Sequence, residues 1–298
     1  MNLACNERVG GVNYATNDPV IFADERVVEH LLEEERLYVP PCNYFESVQT
    51  DIEPFMRKVV TTWMLEVCEE QMCEDQVLPL AVNFMDRFLS VCNIKRQQLQ
   101  LLGATCLLIA SKVRSATTLS IELLCAYTDY SVSHDHISNW ELLVLSKLQW
   151  KLSAVTGFDY VDHIIGRFPW GNDSQLLRRH SHTLVSICYT EPKLIQTAPS
   201  LIAAACICSA FRGLKLSAHR ETTRDVCLMS RVDPVHLESL VLFVDQIVEK
   251  VVPQAQAAAD DGRQQTAGSK HLDGGVAEFE SPTYGQPETP TEVESVYF

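Results

Sequence analysis

Two stretches about a hundred residues apart, LQLLGATCLLIASK (99–112) and PSLIAAACICSAFR (199–212), are apolar on every side and studded with small residues. A helix with no face suited to water must be enclosed by other helices. Around the first stretch, helical periodicity predicts segments at about 54–71, 75–91, 97–112, 119–128 and 134–148. A second series follows at about 156–168, 173–189, 198–212, 221–229 and 234–251. Period-two alternation bounded by hairpin turns is hardly seen. The expectation is an all-α fold of two tandem five-helix bundles, each wrapped on a central helix. An extra amphipathic helix begins near Asp24, a plausible N-cap, puts Val27, Val28, Leu31 and Leu32 on one side, and stops at Pro40-Pro41. Its Glu33–Glu35 run reads as a solvated face.

The organisation that follows is a loose N-terminus (1–17), a first bundle with its preceding helix (18–152), a second bundle (153–252) and a tail (253–298). From Pro253 onward the chain carries eight Asp/Glu against two Lys/Arg and little to bury, so a disordered acidic tail is expected. The formal charge of −15 argues against nucleic acid and anionic membranes as partners and in favour of proteins. Eleven cysteines, an odd number, with Cys106, Cys206 and Cys208 inside apolar runs, read as buried free thiols in a reducing compartment, nuclear or cytosolic. The longest apolar stretches, roughly ten residues each, are too short to span a bilayer.

No catalytic constellation is visible: there is no Gly-rich phosphate loop, no HExxH and no nucleophile elbow, so no cofactor and no enzymatic activity are expected. His134/His136 and His180/His182 stand at i, i+2, which turns two helical side chains apart, so no metal site is expected either. Met56, Val60, Trp63 and Val67 recur at helical spacing, and on periodicity alone that stripe is core. Asp86 lies within an oily face and needs a partner, for which Arg57 on the preceding helix is the candidate. Lys112 ends an apolar run with a cation, as suits a helix C-terminus.

Four segments in order, MRKVVTTWMLEVCEEQ (56–71), NFMDRFLS (83–90), LQLLGATCLLIASK (99–112) and NWELLVLSKLQWKL (139–152), resemble the cyclin box, and the first is similar to the D-type cyclins in particular. The match is close over about Tyr44–Trp150 and loose over the second series. The resemblance implies a regulatory subunit that activates a G1-type cyclin-dependent kinase. In that role Lys112 and Glu141, with Leu101, would meet the kinase's regulatory helix, and Arg57 and Asp86 would form a buried structural ion pair. It also opposes the periodicity of the stripe: Met56, Arg57, Val59, Val60, Trp63, Glu66, Leu99 and Gln100 would border an exposed groove that docks Arg-x-Leu peptides of substrates and kinase inhibitors. One departure stands out. D-type cyclins usually continue after this lysine with a Lys-Glu-Thr-x-Pro stretch, whereas the chain reads VRSATTLS (113–120) and places Ser115 there.

Near the start, LACNE places Leu3, Cys5 and Glu7 in the Leu-x-Cys-x-Glu pattern that binds the pocket domain of retinoblastoma-family proteins. In an extended strand those three side chains share one side. Thr289-Pro290 in the acidic tail is a proline-directed phosphorylation site, with Ser281-Pro282 a weaker second. In the family the matching threonine leads to nuclear export and ubiquitin-dependent destruction through a ubiquitin ligase, so nucleus and cytoplasm are the expected compartments. The alternative is a transcription adaptor on the same repeated fold without kinase activation; such proteins need basic surfaces, which a −15 chain lacks.

Overall fold

The computed structural model describes residues 18, 20–21, 24–167, 174–216 and 219–267, with backbone alone over 219–222 and 251–267. Among them are twelve α-helices and no strand. They are α1 Glu25–Tyr38, a single turn α2 Tyr44–Ser47, α3 Pro54–Glu70, α4 Val77–Leu89, α5 Leu99–Arg114, α6 Ile121–Tyr127, α7 His134–Lys147, α8 Gly157–Ile165, α9 Ser174–Thr190, α10 Pro199–Gly213, α11 His219–Ser230 and α12 Pro234–Ala267.

The two all-apolar helices sit where their composition requires. Every residue of α5 from Leu101 to Ser111 is buried, and the helix is enclosed by α3, α4, α6 and α7. In α10 every residue from Ile202 to Phe211 is buried, inside α8, α9, α11 and α12. Polar atoms within α5 are satisfied by its own backbone: Thr105 Oγ1 donates to the Leu101 carbonyl at 2.7 Å. At Gly103 α3 packs tightly against α5, since a Cβ there would meet Val60 Cγ1 at 2.9 Å.

Local signals account for the helix ends. Asp24 accepts from the Arg26 N–H and caps α1. Pro54 and Pro199 open α3 and α10, where a missing N–H is harmless. Two expectations are corrected. The last helix does not end near 251: its backbone continues through Pro253 to Ala267, because QAQAAAD is a strong helix-forming run and one lost hydrogen bond does not stop it. Glu33–Glu35 is not wholly a solvated face, since Glu35 is only 5% exposed.

Glu35 also shows where α1 belongs in space. Its carboxylate accepts from the Ser200 N–H and from Ser200 Oγ, both at 2.8 Å, and so caps the first turn of α10 from outside. Val28 and Leu32 join the core of the second bundle, and Arg167 donates to the Asp24 carbonyl at 2.6 Å. The helix that precedes the first bundle in sequence thus packs on the second. The bundles meet where α9 lies on α3 and α4.

Candidate functional site

A buried polar cluster joins the two bundles. Arg57 on α3 and Asp86 on α4 pair in a fork, Nε to Oδ1 at 3.0 Å and Nη2 to Oδ2 at 2.8 Å. Tyr44 Oη donates to Asp86 Oδ1 at 2.8 Å. The remaining guanidinium donors reach across to α9, Nη1 to the Thr190 carbonyl at 2.9 Å and Nη2 to the Tyr189 carbonyl at 3.0 Å. Arg57 is 1% exposed. Burial alone would pull its pKa down, but the Asp86 carboxylate outweighs it and holds the guanidinium charged. Burial, with the same carboxylate, pushes the Tyr44 phenol well up. The arrangement is structural: it closes the last carbonyls of α9 with donors from the other bundle.

The charged face lies elsewhere, where the end of α5 runs beside α7. Lys112 Nζ and Glu141 Oε1 are 2.5 Å apart, and their side chains are 46% and 20% exposed. Lys112 occupies the last turn of α5, where the carbonyl end of the helix favours a cation. Around the pair in sequence, Val113, Leu142 and Leu143 are exposed, Leu142 to 65%. A cation and an anion beside uncovered apolar side chains suit a protein surface rather than water. Leu101, grouped with the pair in the sequence, is buried in the first core and supports the helix from within.

The exposed-groove expectation needs correction. Met56, Arg57, Val60, Trp63 and Leu99 are all more than nine-tenths buried, so periodicity was the sounder guide to that stripe. What remains accessible of the set is Val59, Glu66 and Gln100, each partly exposed. The side chains are enclosed because α5 packs directly on α3, the contact that Gly103 permits. Leu3, Cys5, Glu7, Ser281 and Thr289 lie outside the described residues.

The model of the cyclin N-terminal domain matches residues 26–153, and that of the cyclin C-terminal domain matches 155–273. The G1/S-specific cyclin-D2 of Xenopus laevis is 38% identical over 300 residues, 99% of each chain. The G1/S-specific cyclin-D1 of Danio rerio is 43% identical over 78% of this chain and 82% of its own. For the cyclin-D3 of Bos taurus the figures are 46%, 72% and 74%. The chain belongs to the D-type cyclins.

Among solved structures, a viral cyclin from herpesvirus saimiri superposes with a TM-score of 0.68 at 23% identity, over 75% of this chain and 97% of that one, and supports the fold. Members of the family are regulatory subunits rather than enzymes, and membership gives this D-type cyclin a regulatory role at G1/S. In the segment that departs from the family pattern, Ser115 caps α5 with its N–H on the Ser111 carbonyl, and Glu74 Oε1 accepts the Ala116 N–H at 3.1 Å. The turn is therefore tethered to the connection between α3 and α4 rather than loose. Sequence reasoning missed Tyr44, Glu35 and the carbonyls of Tyr189 and Thr190. For Tyr44 a signal existed, an aromatic hydroxyl at the edge of the matched segment. A carbonyl acceptor leaves none.

Proposed function

We propose that this D-type cyclin binds a G1-type cyclin-dependent kinase through the Lys112–Glu141 face, activates it allosterically and brings it to retinoblastoma-family proteins. The observation that carries this reading is the exposed pair itself, set across two packed helices next to uncovered apolar side chains. Held there, the ammonium and carboxylate can satisfy carbonyls and charged groups on a partner helix. The kinase's regulatory helix in its active position would fit this face better than in its inactive one, and that difference in affinity shifts the kinase's equilibrium. The catalytic groups are the kinase's own. Substrates and inhibitors bearing Arg-x-Leu would be read at the shallow rim of Val59, Glu66 and Gln100. Leu3, Cys5 and Glu7 would engage the retinoblastoma pocket. Phosphorylation at Thr289 would route the protein from nucleus to cytoplasm and to a ubiquitin ligase.

A charge swap separates a surface for a partner from a merely internal pair. Lys112→Glu with Glu141→Lys preserves the mutual attraction but reverses what a partner meets. The expected outcome is an unchanged melting temperature with loss of kinase co-purification and of retinoblastoma-kinase activity, since reversing buried interface charges costs about 2–5 kcal/mol. Undiminished activity would remove this face from the interface and favour the adaptor reading. For the tail, Thr289→Ala is expected to lengthen the half-life in a cycloheximide chase, and an unaltered decay would exclude that threonine as the signal.

A further inference from the structure

The end of α3 holds two thiols together by backbone geometry alone. The Cys73 N–H donates to the Cys68 carbonyl at 2.9 Å and the Met72 N–H to the Glu69 carbonyl at 3.1 Å, with Met72 in the left-handed region at φ 47°. This is a Schellman closure, which sets the side chains five residues apart against one another and normally joins two apolar groups. Here both are cysteines, and each thiol lies close enough to shift the other's ionisation. Such a closure brings the two Cα atoms within the span a disulfide bridges.

The pair lines a cavity of about 390 Å³ between α3 and α9, together with Leu65, Met72 and His182. Cys73 is partly exposed and Cys68 buried. We infer that Cys68 and Cys73 form a modification site for small uncharged peroxides, Cys73 being the thiol attacked and Cys68 the one that resolves it. The neighbouring Cys68 thiol holds the Cys73 thiol below its usual range, while Cys73 and then burial push Cys68 up, so the thiolate forms at the accessible position. Glu69, Glu74 and Asp75 also line the cavity and repel an anionic oxidant, which is why the class is a neutral peroxide.

In the first step the Cys73 thiolate attacks hydrogen peroxide: the O–O bond breaks, an S–O bond forms, the sulfur gives up two electrons, and hydroxide takes up the proton that Cys73 had released. In the second, Cys68 sulfur attacks that sulfenic acid. The S–S bond forms, the S–O bond breaks, and the leaving hydroxide departs with the Cys68 proton as a second water. Two thiols and one peroxide thus give one disulfide and two waters. In a reducing compartment the bridge would be transient.

Other cysteines differ in the features that matter. Cys188 and Cys206 have sulfurs 3.7 Å apart, but both are fully buried. Burial pushes Cys208 up to about 12. Cys42 accepts from Ser47 Oγ at 3.3 Å, and Cys92 meets the Asn93 carbonyl.

The test treats the purified full chain with equimolar hydrogen peroxide, alkylates free thiols and digests with trypsin. Cleavage after Lys58 and Arg87 leaves Cys68 and Cys73 as the two cysteines of one peptide. The expected product is that peptide lighter by two hydrogens and carrying no alkyl group. Its halves stay joined after further cleavage behind Glu70 until a reductant is added. Oxidation of Met72, 89% exposed, adds an oxygen and is told apart by mass. In Cys68→Ser, dimedone should capture a sulfenic acid at Cys73, and in Cys73→Ser capture at Cys68 should be lost. The proposal fails if both thiols are alkylated after peroxide, if another cysteine is oxidised first, or if Cys68 is captured when Cys73 is absent.

Discussion

Arg57 concentrates on one side chain what would otherwise take several contacts. It neutralises a buried carboxylate on α4 and closes two carbonyls at the end of α9, so one residue braces the first bundle and fastens the second to it. Burying two charges costs several kcal/mol, and the geometry offsets that only while every donor has an acceptor. Arg57→Ala leaves Asp86 with Tyr44 as its remaining side-chain donor and is expected to lower stability by about 3–5 kcal/mol, read as a fall in the urea midpoint. Arg57→Lys keeps the charge but lacks the fork, so its midpoint should lie between the two. An alanine variant as stable as the parent would mean that Asp86 is rehydrated. The pairing of Arg57 with Asp86 was legible because a carboxylate in an oily face demands a cation. The α9 carbonyls were not, because every residue carries the same backbone carbonyl.

At the scale of helices, what could be read in advance was which face is buried, and what could not was against which neighbour. The all-round apolarity of 99–112 and 199–212 named the two central helices because no other burial satisfies them. The stripe of α1 identified Val28 and Leu32 as inward, yet adjacency in sequence to the first bundle pointed the wrong way; the partners are α8, α10 and α11 of the second. Glu35 was misread for the same reason: within an acidic run it looks solvated, and its role is visible only once the free N–H of Ser200 is brought beside it. A carboxylate there meets both an unpaired donor and the positive end of α10. Glu35→Ala should therefore cost about 1–3 kcal/mol and loosen one helix selectively. Hydrogen exchange is expected to speed up across Glu25–Tyr38 while α5 stays protected. Uniform acceleration of both helices would show that α1 is not a separately docked element.

For the whole molecule the question is how one regulatory chain can select a substrate as well as a kinase. Under the proposed function the Lys112–Glu141 face is occupied by the kinase, so recognition of a retinoblastoma-family protein falls to other parts of the chain. Glu7 is eighteen residue steps from the start of α1, a reach of at most about 60 Å. A pocket protein held by LACNE is thus confined near the kinase, and the second encounter becomes intramolecular at an effective concentration on the order of millimolar. Removing the peptide should leave catalysis alone and abolish only that confinement. Cys5→Gly with Glu7→Lys takes away the small apolar group and reverses the charge meant for a basic rim, without touching α3, α5 or α7. The expected result is loss of pocket-domain binding with unchanged kinase co-purification and unchanged activity on a short peptide substrate. Phosphorylation of the intact pocket protein at sub-micromolar concentration should fall by about 10²-fold, the scale that tethering contributes, and recover as that substrate is raised. If the pocket domain still binds this variant, recognition lies on the helical body, and the partly exposed rim of Val59, Glu66 and Gln100 becomes the surface to mutate next.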